Sequence, residues 1–310
     1  MAAEAVPLLE DRNPQWYGPN QDFTSLHVVE DIPGRGKGAI ATQDISKGEL
    51  VMSESAVLVG MMEPPRQIAT EHLKILDVIA FEQLAEAQRK RLSEMATVPG
   101  REVINGIFHT NAFGIGLSDD SNHRAVFPEI ARINHDCDPN CYVRFSRNRL
   151  RMEVIAYRDI EAGEELSVAY TPLNIQTEAR QKALRLWGFN CTCSLCTKPH
   201  LRDRSDRNRQ RIQGVVVEMG KPENRNHQAL TELSDEMLEL IGTEKLTALL
   251  GDFYGMLAES FSRLGDSDTA LKYANLALTH QQEFRSPDHK RVGDMRKLVD
   301  EIRNTKAKNR

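Results

Sequence analysis

No apolar run in the 310-residue chain approaches the ~20 residues that cross a bilayer; the longest, such as Ala56 to Met62, fall far short. Neither a membrane-spanning helix nor a membrane partner is therefore expected. The opening residues MAAEAVPLLEDRNPQ lack the basic start and apolar stretch of a secretory signal, so the expected location is nucleus or cytoplasm rather than outside the cell. Positive charge is not in excess either. Forty Lys+Arg face 45 Asp+Glu, a formal net charge of -5, which excludes a polycationic nucleic-acid binder and makes direct sequence-specific nucleic-acid recognition unexpected. Cysteine is scarce. Five residues, Cys137, Cys141, Cys191, Cys193 and Cys196, fall in two small clusters, and an odd, clustered set is not a disulfide framework.

What is present suits a soluble chain with real cores: 40% hydrophobic and 27% charged residues, in a length that suggests two domains. Residues 24–59 carry short apolar stretches, Leu26–Val29, Ala39–Ala41 and Leu50–Met52, separated by Pro33-Gly34 and Lys47-Gly48. That is the pattern of short strands joined by turns. Between Arg66 and Met95 the turn residues vanish, and Leu73, Leu76, Ile79, Ala80, Leu84 and Ala87 recur at helical spacing, predicting a helical insert. Strands are expected again from Val103 to Val168, with Leu150, Met152, Val154 and Ala156 sharing one face of a strand. Residues 198–211, KPHLRDRSDRNRQR, carry six Lys/Arg against two Asp and read as a solvated helix start or linker rather than a nuclear-import or phosphate-binding patch. From about Gln213 onward glycine and proline thin out and the periods are helical. Residues Leu257 to Leu278 space small and large side chains as in one tetratricopeptide helix pair, so an all-α, TPR-like domain is expected there. Such a layer either takes a peptide in a groove or buttresses the sheet domain.

The candidate chemistry lies in four short segments. Gly34-Arg35-Gly36-Lys37-Gly38 brings backbone amides within reach of a ligand, but it is neither a dinucleotide fingerprint nor a P-loop and sits between strands rather than opening a helix. Next come Arg132-Ile-Asn134-His135-Asp-Cys137-Asp-Pro139-Asn140, then Gly163-Glu-Glu165-Leu166 followed by Tyr170, then Phe189-Asn-Cys191-x-Cys193-x-x-Cys196. The last offers three soft thiolates on one loop, as tetrahedral zinc requires. Closely spaced thiolates repel without a cation, and Cys137, Cys141 or a histidine must supply a fourth ligand.

These four motifs, in this order over residues 24 to 196, resemble those of SET-domain protein-lysine methyltransferases, specifically the SMYD-like branch and its fungal relatives. The resemblance implies an α+β architecture: an N-terminal extension (1–23), a β-rich SET fold of short strands, β-clip type (24–175), with its helical insert at about 64–100, a zinc-binding post-SET segment (176–197), and the TPR-like helices (198–310). It implies S-adenosylmethionine held by Arg35, Gly36, Lys37 and Gly38, by Asn134 and His135, and by Asn111 near its amino-acid end, with Phe189 packed on the adenine. Tyr170 is the implied catalytic residue, which also borders the cofactor. Structural zinc would be held by Cys137, Cys191, Cys193 and Cys196, leaving Cys141 a core thiol. The implied partner is a protein or peptide lysine, possibly of a histone, taken by a monomer.

Two departures from the family pattern matter. The cysteines of a MYND zinc module are absent from residues 40–95, so recruitment through that module is not expected. Trp187 stands where relatives commonly have a second channel tyrosine, and with Tyr142 it is expected to wall the lysine channel. Tryptophan offers no O–H. No role is assigned to His109. A non-catalytic scaffold, whose SET domain binds cofactor weakly or not at all while the TPR-like helices hold a protein partner, and a SET fold turned to small-molecule chemistry are the two readings set beside the methyltransferase.

Overall fold

The computed structural model describes residues 26–62, 69–97, 100–117 and 122–308. Among these residues the sheet half is assembled from four small sheets rather than one large one. Strands β1 (His27–Ile32) and β2 (Gly36–Ala41) form an antiparallel hairpin, reversed at a turn where Gly34 and Gly36 have φ of 76° and 71°, the left-handed region that glycine enters freely. A second sheet runs in the order β3-β9-β8, with β3 (Leu50–Ser55), β8 (Cys141–Ser146) and β9 (Arg151–Ala156) all antiparallel. A third, β4-β6-β5, joins β4 (Leu58–Met61), β5 (Ala112–Gly116) and β6 (Asn122–Val126). The fourth is a two-residue parallel pairing of β7 (Asn134–His135) with β10 (Ser167–Val168). One core, from Ala39 and Val51 through Phe127 and Ile133 to Leu166 and Val168, lies among these sheets.

Met152, Val154 and Ala156 share the face of β9 that enters this core, as expected. As the central strand of its sheet, β9 has Met152 to Ala156 all buried, and Leu150 precedes it in a turn with φ of 49°. The other face is covered as well, with Glu153 and Ile155 buried on it, so β9 has no solvent side.

The helical insert contains α1 (Thr70–Glu82) and α2 (Glu86–Ser93), and it continues further than expected. Val103–Asn111, predicted as the resumption of strands, is helix α3. Its buried residues Ile104, Ile107, Phe108 and Asn111 recur at i, i+3, i+4 and i+7, the helical period. They close a satellite core with Leu58, Leu92 and Val126. This helix delivers Asn111 to its position directly ahead of β5.

After β10 the described chain is helical: α4 (Thr177–Leu184), α5 (Ser194–Thr197), α6 (Pro199–Gly220), α7 (His227–Thr243), α8 (Leu250–Arg263), α9 (Ser267–Phe284) and α10 (Lys290–Lys308). The basic stretch at 198–211 is the first half of α6, whose Pro199 occupies the first turn, where a missing N–H is harmless. Helices α8 and α9 form the hairpin of the TPR-like segment. Gly265 turns the chain at φ 80°, and the Asp266 side chain caps α9 by accepting from the Thr269 N–H at 3.0 Å. Small residues Ala258, Ala270, Ala274 and Ala277 are completely buried and let the two helices approach closely.

The helical half is fastened to β8. The Tyr142 hydroxyl and Arg144 Nη1 both donate to the Glu283 carbonyl, at 3.0 and 2.9 Å, and the Tyr157 hydroxyl donates to Lys245 O at 2.8 Å. Tyr142 packs against Phe284 and Tyr157, with centroids 4.7 and 5.9 Å away. The expectation that Tyr142 walls a substrate channel is therefore corrected. On β8 its side chain leaves the sheet on the face that meets α9, and its half-buried hydroxyl is spent on that junction.

Candidate functional site

A cavity of about 620 Å³ opens where the sheets meet the segment after α4, within the size range of small-molecule sites. It is lined by the glycine turn (Gly34 to Lys37), the residues that follow α2 (Glu94 to Ala96), Thr110 and Asn111, Asn134 and His135, Tyr170, Trp187 and Phe189 to Cys193. Residues more than 150 positions apart in sequence thus share one space. The β7–β10 pairing is the organiser, because it sets Asn134 and His135 beside Ser167 and Val168, with Tyr170 two residues beyond.

One wall is a polar lattice. Arg35 Nη1 meets Glu165 Oε2 at 2.7 Å, and its Nη2 donates to the His135 carbonyl at 2.7 Å. Asn134 Nδ2 donates to Lys37 O at 3.2 Å and to Glu165 Oε1 at 2.8 Å. Glu165 therefore clamps the glycine turn to the Asn-His pair. A Cβ on Gly38 would stand 2.7 Å from Ile32 Cγ1, 2.9 Å from Asn134 Nδ2 and 3.0 Å from Glu165 Oε1. Gly38 is needed for this close approach, and it stands behind the cavity wall, whereas Arg35, Gly36 and Lys37 face the cavity.

His135 is buried and its imidazole is held neutral, with burial drawing its pKa down to about 4. Nδ1 accepts the Tyr170 backbone N–H at 3.0 Å, which assigns the ring proton to Nε2, 3.3 Å from Cys137 Sγ. The Tyr170 hydroxyl donates to Ile133 O at 2.7 Å. Burial pushes this phenol up to about 12, so it stays protonated, and its oxygen lone pairs remain available as acceptors. Asn111 Nδ2 donates to Ala96 O and Ile107 O, at 2.8 and 3.0 Å, and the residue borders the cavity. Next to it Thr110 Oγ1 is buried and has no partner among the described residues.

The opposite wall is aromatic. Tyr170 lies 5.6 Å from Trp187 and 6.4 Å from Phe189, and Phe189 lies 6.3 Å from His135, centroid to centroid. Gly188, between them, turns the chain at φ 83°. His109, unassigned from sequence, has its Nε2 2.8 Å from Leu186 O and so braces this wall against α3.

Behind the aromatic wall the Sγ atoms of Cys137, Cys191, Cys193 and Cys196 lie within 4.8 Å of one another. Cys137 Sγ is 3.8 Å from that of Cys191 and 3.6 Å from that of Cys196. Tetrahedral thiolates 2.3 Å from one zinc ion stand about 3.8 Å apart, so the four residues fit such an ion. Hydrogen bonds from Cys137 and Cys191 draw the Cys193 thiol down to about 6. Of the three sequence options for the fourth ligand, Cys137 is the one in the cluster. Cys141 is sealed in the sheet core, where burial pushes its thiol up to about 12.

The family model for the SET domain matches residues 36–171. The chain carries a SET domain. Similar curated proteins are the histone-lysine N-methyltransferase set5 of Schizosaccharomyces pombe, 30% identical over 61% of this chain and 56% of its own length, and the human histone-lysine N-methyltransferases SMYD1 and SMYD3. SMYD1 is 33% identical over 40% of this chain and 27% of its own. SMYD3 is 40% identical over 23% of this chain and 16% of its own. The chain thus spans about half the length of set5 and less of the other two.

The SET match contains the glycine turn from Gly36, Asn134, His135 and Tyr170, and it stops before Trp187, Phe189 and the last three cysteines. Those enter the site on geometry. Sequence reading missed two contributors to it, Glu165 and Thr110. Glu165 lay inside a quoted motif, and a carboxylate beside Asn-His and an upstream arginine was its available signal. For Thr110 there was none, since a threonine one residue before Asn111 looks ordinary until its hydroxyl is found buried and unpartnered. Among the described residues no helix is long and apolar enough to cross a membrane.

Proposed function

We propose that this protein is an S-adenosylmethionine-dependent protein-lysine N-methyltransferase whose substrate is a histone or another protein lysine. The observation that carries the reading is the meeting of the Gly36 turn, Asn134-His135 and the buried Tyr170 phenol in one cavity of a SET domain. Asn111, its amide nitrogen already committed to Ala96 O and Ile107 O, borders the same cavity.

S-adenosylmethionine supplies an activated methyl group, so the protein's task is alignment. Arg35, Gly36, Lys37, Asn134 and His135 would hold the cofactor on the polar wall, Asn111 would meet its amino-acid end and Phe189 its adenine. A lysine has a pKa near 10.4 in water, and desolvation between Trp187 and Tyr170 favours the neutral amine that attacks. The Tyr170 oxygen, anchored by its donation to Ile133 O, would orient that amine and receive the polarised methyl hydrogens. Zinc on Cys137, Cys191, Cys193 and Cys196 would pin the aromatic wall in place without entering the chemistry.

The test is transfer of labelled methyl groups to core histones and to a lysate of proteins, by wild type and Tyr170→Phe. Lysine-specific transfer that the variant lacks supports the reading. Transfer to small molecules alone would replace it.

A further inference from the structure

His135 is 3% exposed and lies on the two-residue strand β7, whose pairing with β10 ends at Val168. The Tyr170 N–H falls beyond that pairing, and its acceptor is His135 Nδ1 at 3.0 Å instead of a strand carbonyl. A ring nitrogen that accepts a backbone N–H carries no proton, so the proton of the imidazole is on Nε2. Nε2 stands 3.3 Å from Cys137 Sγ and is therefore the donor of that bond. Both ring nitrogens are spent within the protein. Neither is left for a ligand in the cavity that His135 borders.

The two partners of the ring belong to different parts of the molecule. Cys137 is the member of the four-cysteine cluster that follows β7, whereas the other three come after α4. Tyr170 follows β10 and is held twice by the segment around β7, through its N–H on the His135 ring and through its hydroxyl on Ile133 O at 2.7 Å. The His135 and Tyr170 rings lie 5.4 Å apart, centroid to centroid. An N–H aimed at a thiolate makes a charge-assisted hydrogen bond, and such outer partners orient a metal ligand and raise the affinity of its site. An unbroken chain of two hydrogen bonds thus runs from Cys137 Sγ through one imidazole to the backbone of Tyr170.

We propose that the His135 imidazole is a positioning residue that ties Tyr170 to the metal centre, its Nε2–H bonded to the ligand Cys137 and its Nδ1 holding the Tyr170 N–H. This rests on the zinc reading of the cluster and on the role given to Tyr170 above. Zinc content of the reduced wild-type protein is measured first, and less than one zinc per chain would defeat the zinc reading itself. The remaining readouts use no methyl transfer, so they stand apart from the methyltransferase reading. In the full-length protein His135→Asn puts an amide where Nδ1 was, and His135→Gln puts one where Nε2 was. Competition with a chromogenic chelator should show His135→Asn binding zinc about 10–100-fold more weakly, the usual effect of losing an outer partner, and His135→Gln binding it as wild type does. The thiolate-to-metal band of the cobalt-substituted protein should move in the asparagine variant only. Exchange of the Tyr170 amide proton, followed by NMR on the zinc-loaded proteins, should reverse the order: about tenfold faster in His135→Gln, where the donor has lost its partner, and near wild type in His135→Asn. Each variant is decisive if the other fails to fold. Wild-type zinc affinity in His135→Asn, a zinc loss in His135→Gln equal to that in His135→Asn, or unchanged Tyr170 exchange in His135→Gln would each overturn the proposal. A side chain that only fills space would fail on both readouts in both variants.

Discussion

The two walls of the cavity are built on different principles. The polar wall is a lattice of side-chain hydrogen bonds among Arg35, Glu165, Asn134 and the backbone of the glycine turn, set on paired strands. The aromatic wall has no sheet beneath it. Trp187 and Phe189 follow a short helix and hang from a loop whose anchors are Gln181, His109 and four cysteines. A strand-mounted wall forms with the fold, whereas a loop-mounted wall needs a cross-link, and structural zinc is the cross-link a small irregular segment can use.

That contrast is broken most severely by Cys193→Ser. Metal analysis should show zinc falling below one per chain, and calorimetry should show cofactor binding lost, while circular dichroism still reports the strands. Tyr170→Phe sits where the walls meet. It should keep the cofactor Kd within about twofold yet lower kcat about 10²–10³-fold, the scale seen when one oriented group at a transition state is removed, as methyl-transfer kinetics would reveal. Gly38→Ala attacks the polar wall alone. Because its Cβ would meet Asn134 and Glu165 at 3.0 Å or less, thermal unfolding should show a loss of about 1–3 kcal/mol, with cofactor binding weakened and zinc retained.

The smallest effect concerns the support beneath the polar wall. Glu54 accepts the Glu129 and Ile130 backbone N–H groups at 2.9 and 3.1 Å, at the turn leading into Asn134, and burial raises its pKa from 4.5 to about 7. A raised carboxyl takes up a proton on folding between these values. Its contribution to stability is complete below about pH 4.5 and is lost as pH rises through 7. Glu54→Gln should therefore remove up to one proton from the pH dependence of unfolding in that window, measured by urea titration at several pH values.

The same division explains what could be read from the sequence. Glycine turn, Asn-His, Glu-Leu and Tyr170 are short motifs with fixed neighbours, so they were legible and the strands around them followed. The spacing of Cys191, Cys193 and Cys196 was equally legible as a metal site, although only the fold separates Cys137 from Cys141. Helix α3 was misread because Val103 and Ile104 suggest a strand, while the i, i+3, i+4, i+7 burial of Ile104, Ile107, Phe108 and Asn111 depends on a core shared with Leu58 and Leu92. Tyr142 was misplaced for a similar reason. A tyrosine just after a cysteine motif resembles a channel residue, and only the docking of α9 on β8 turns it toward Glu283. Long-range pairing decides such cases, and periodicity alone does not carry it.

The central claim is that both walls together hold S-adenosylmethionine. It is tested most directly by calorimetric titration of the zinc-loaded protein with S-adenosylmethionine and its demethylated product, beside Asn134→Ala. Micromolar binding of both ligands that Asn134→Ala loses is the expected result. Absence of binding to a folded, fully zinc-loaded wild type would contradict the account and leave the SET domain as a scaffold for the helices that follow it.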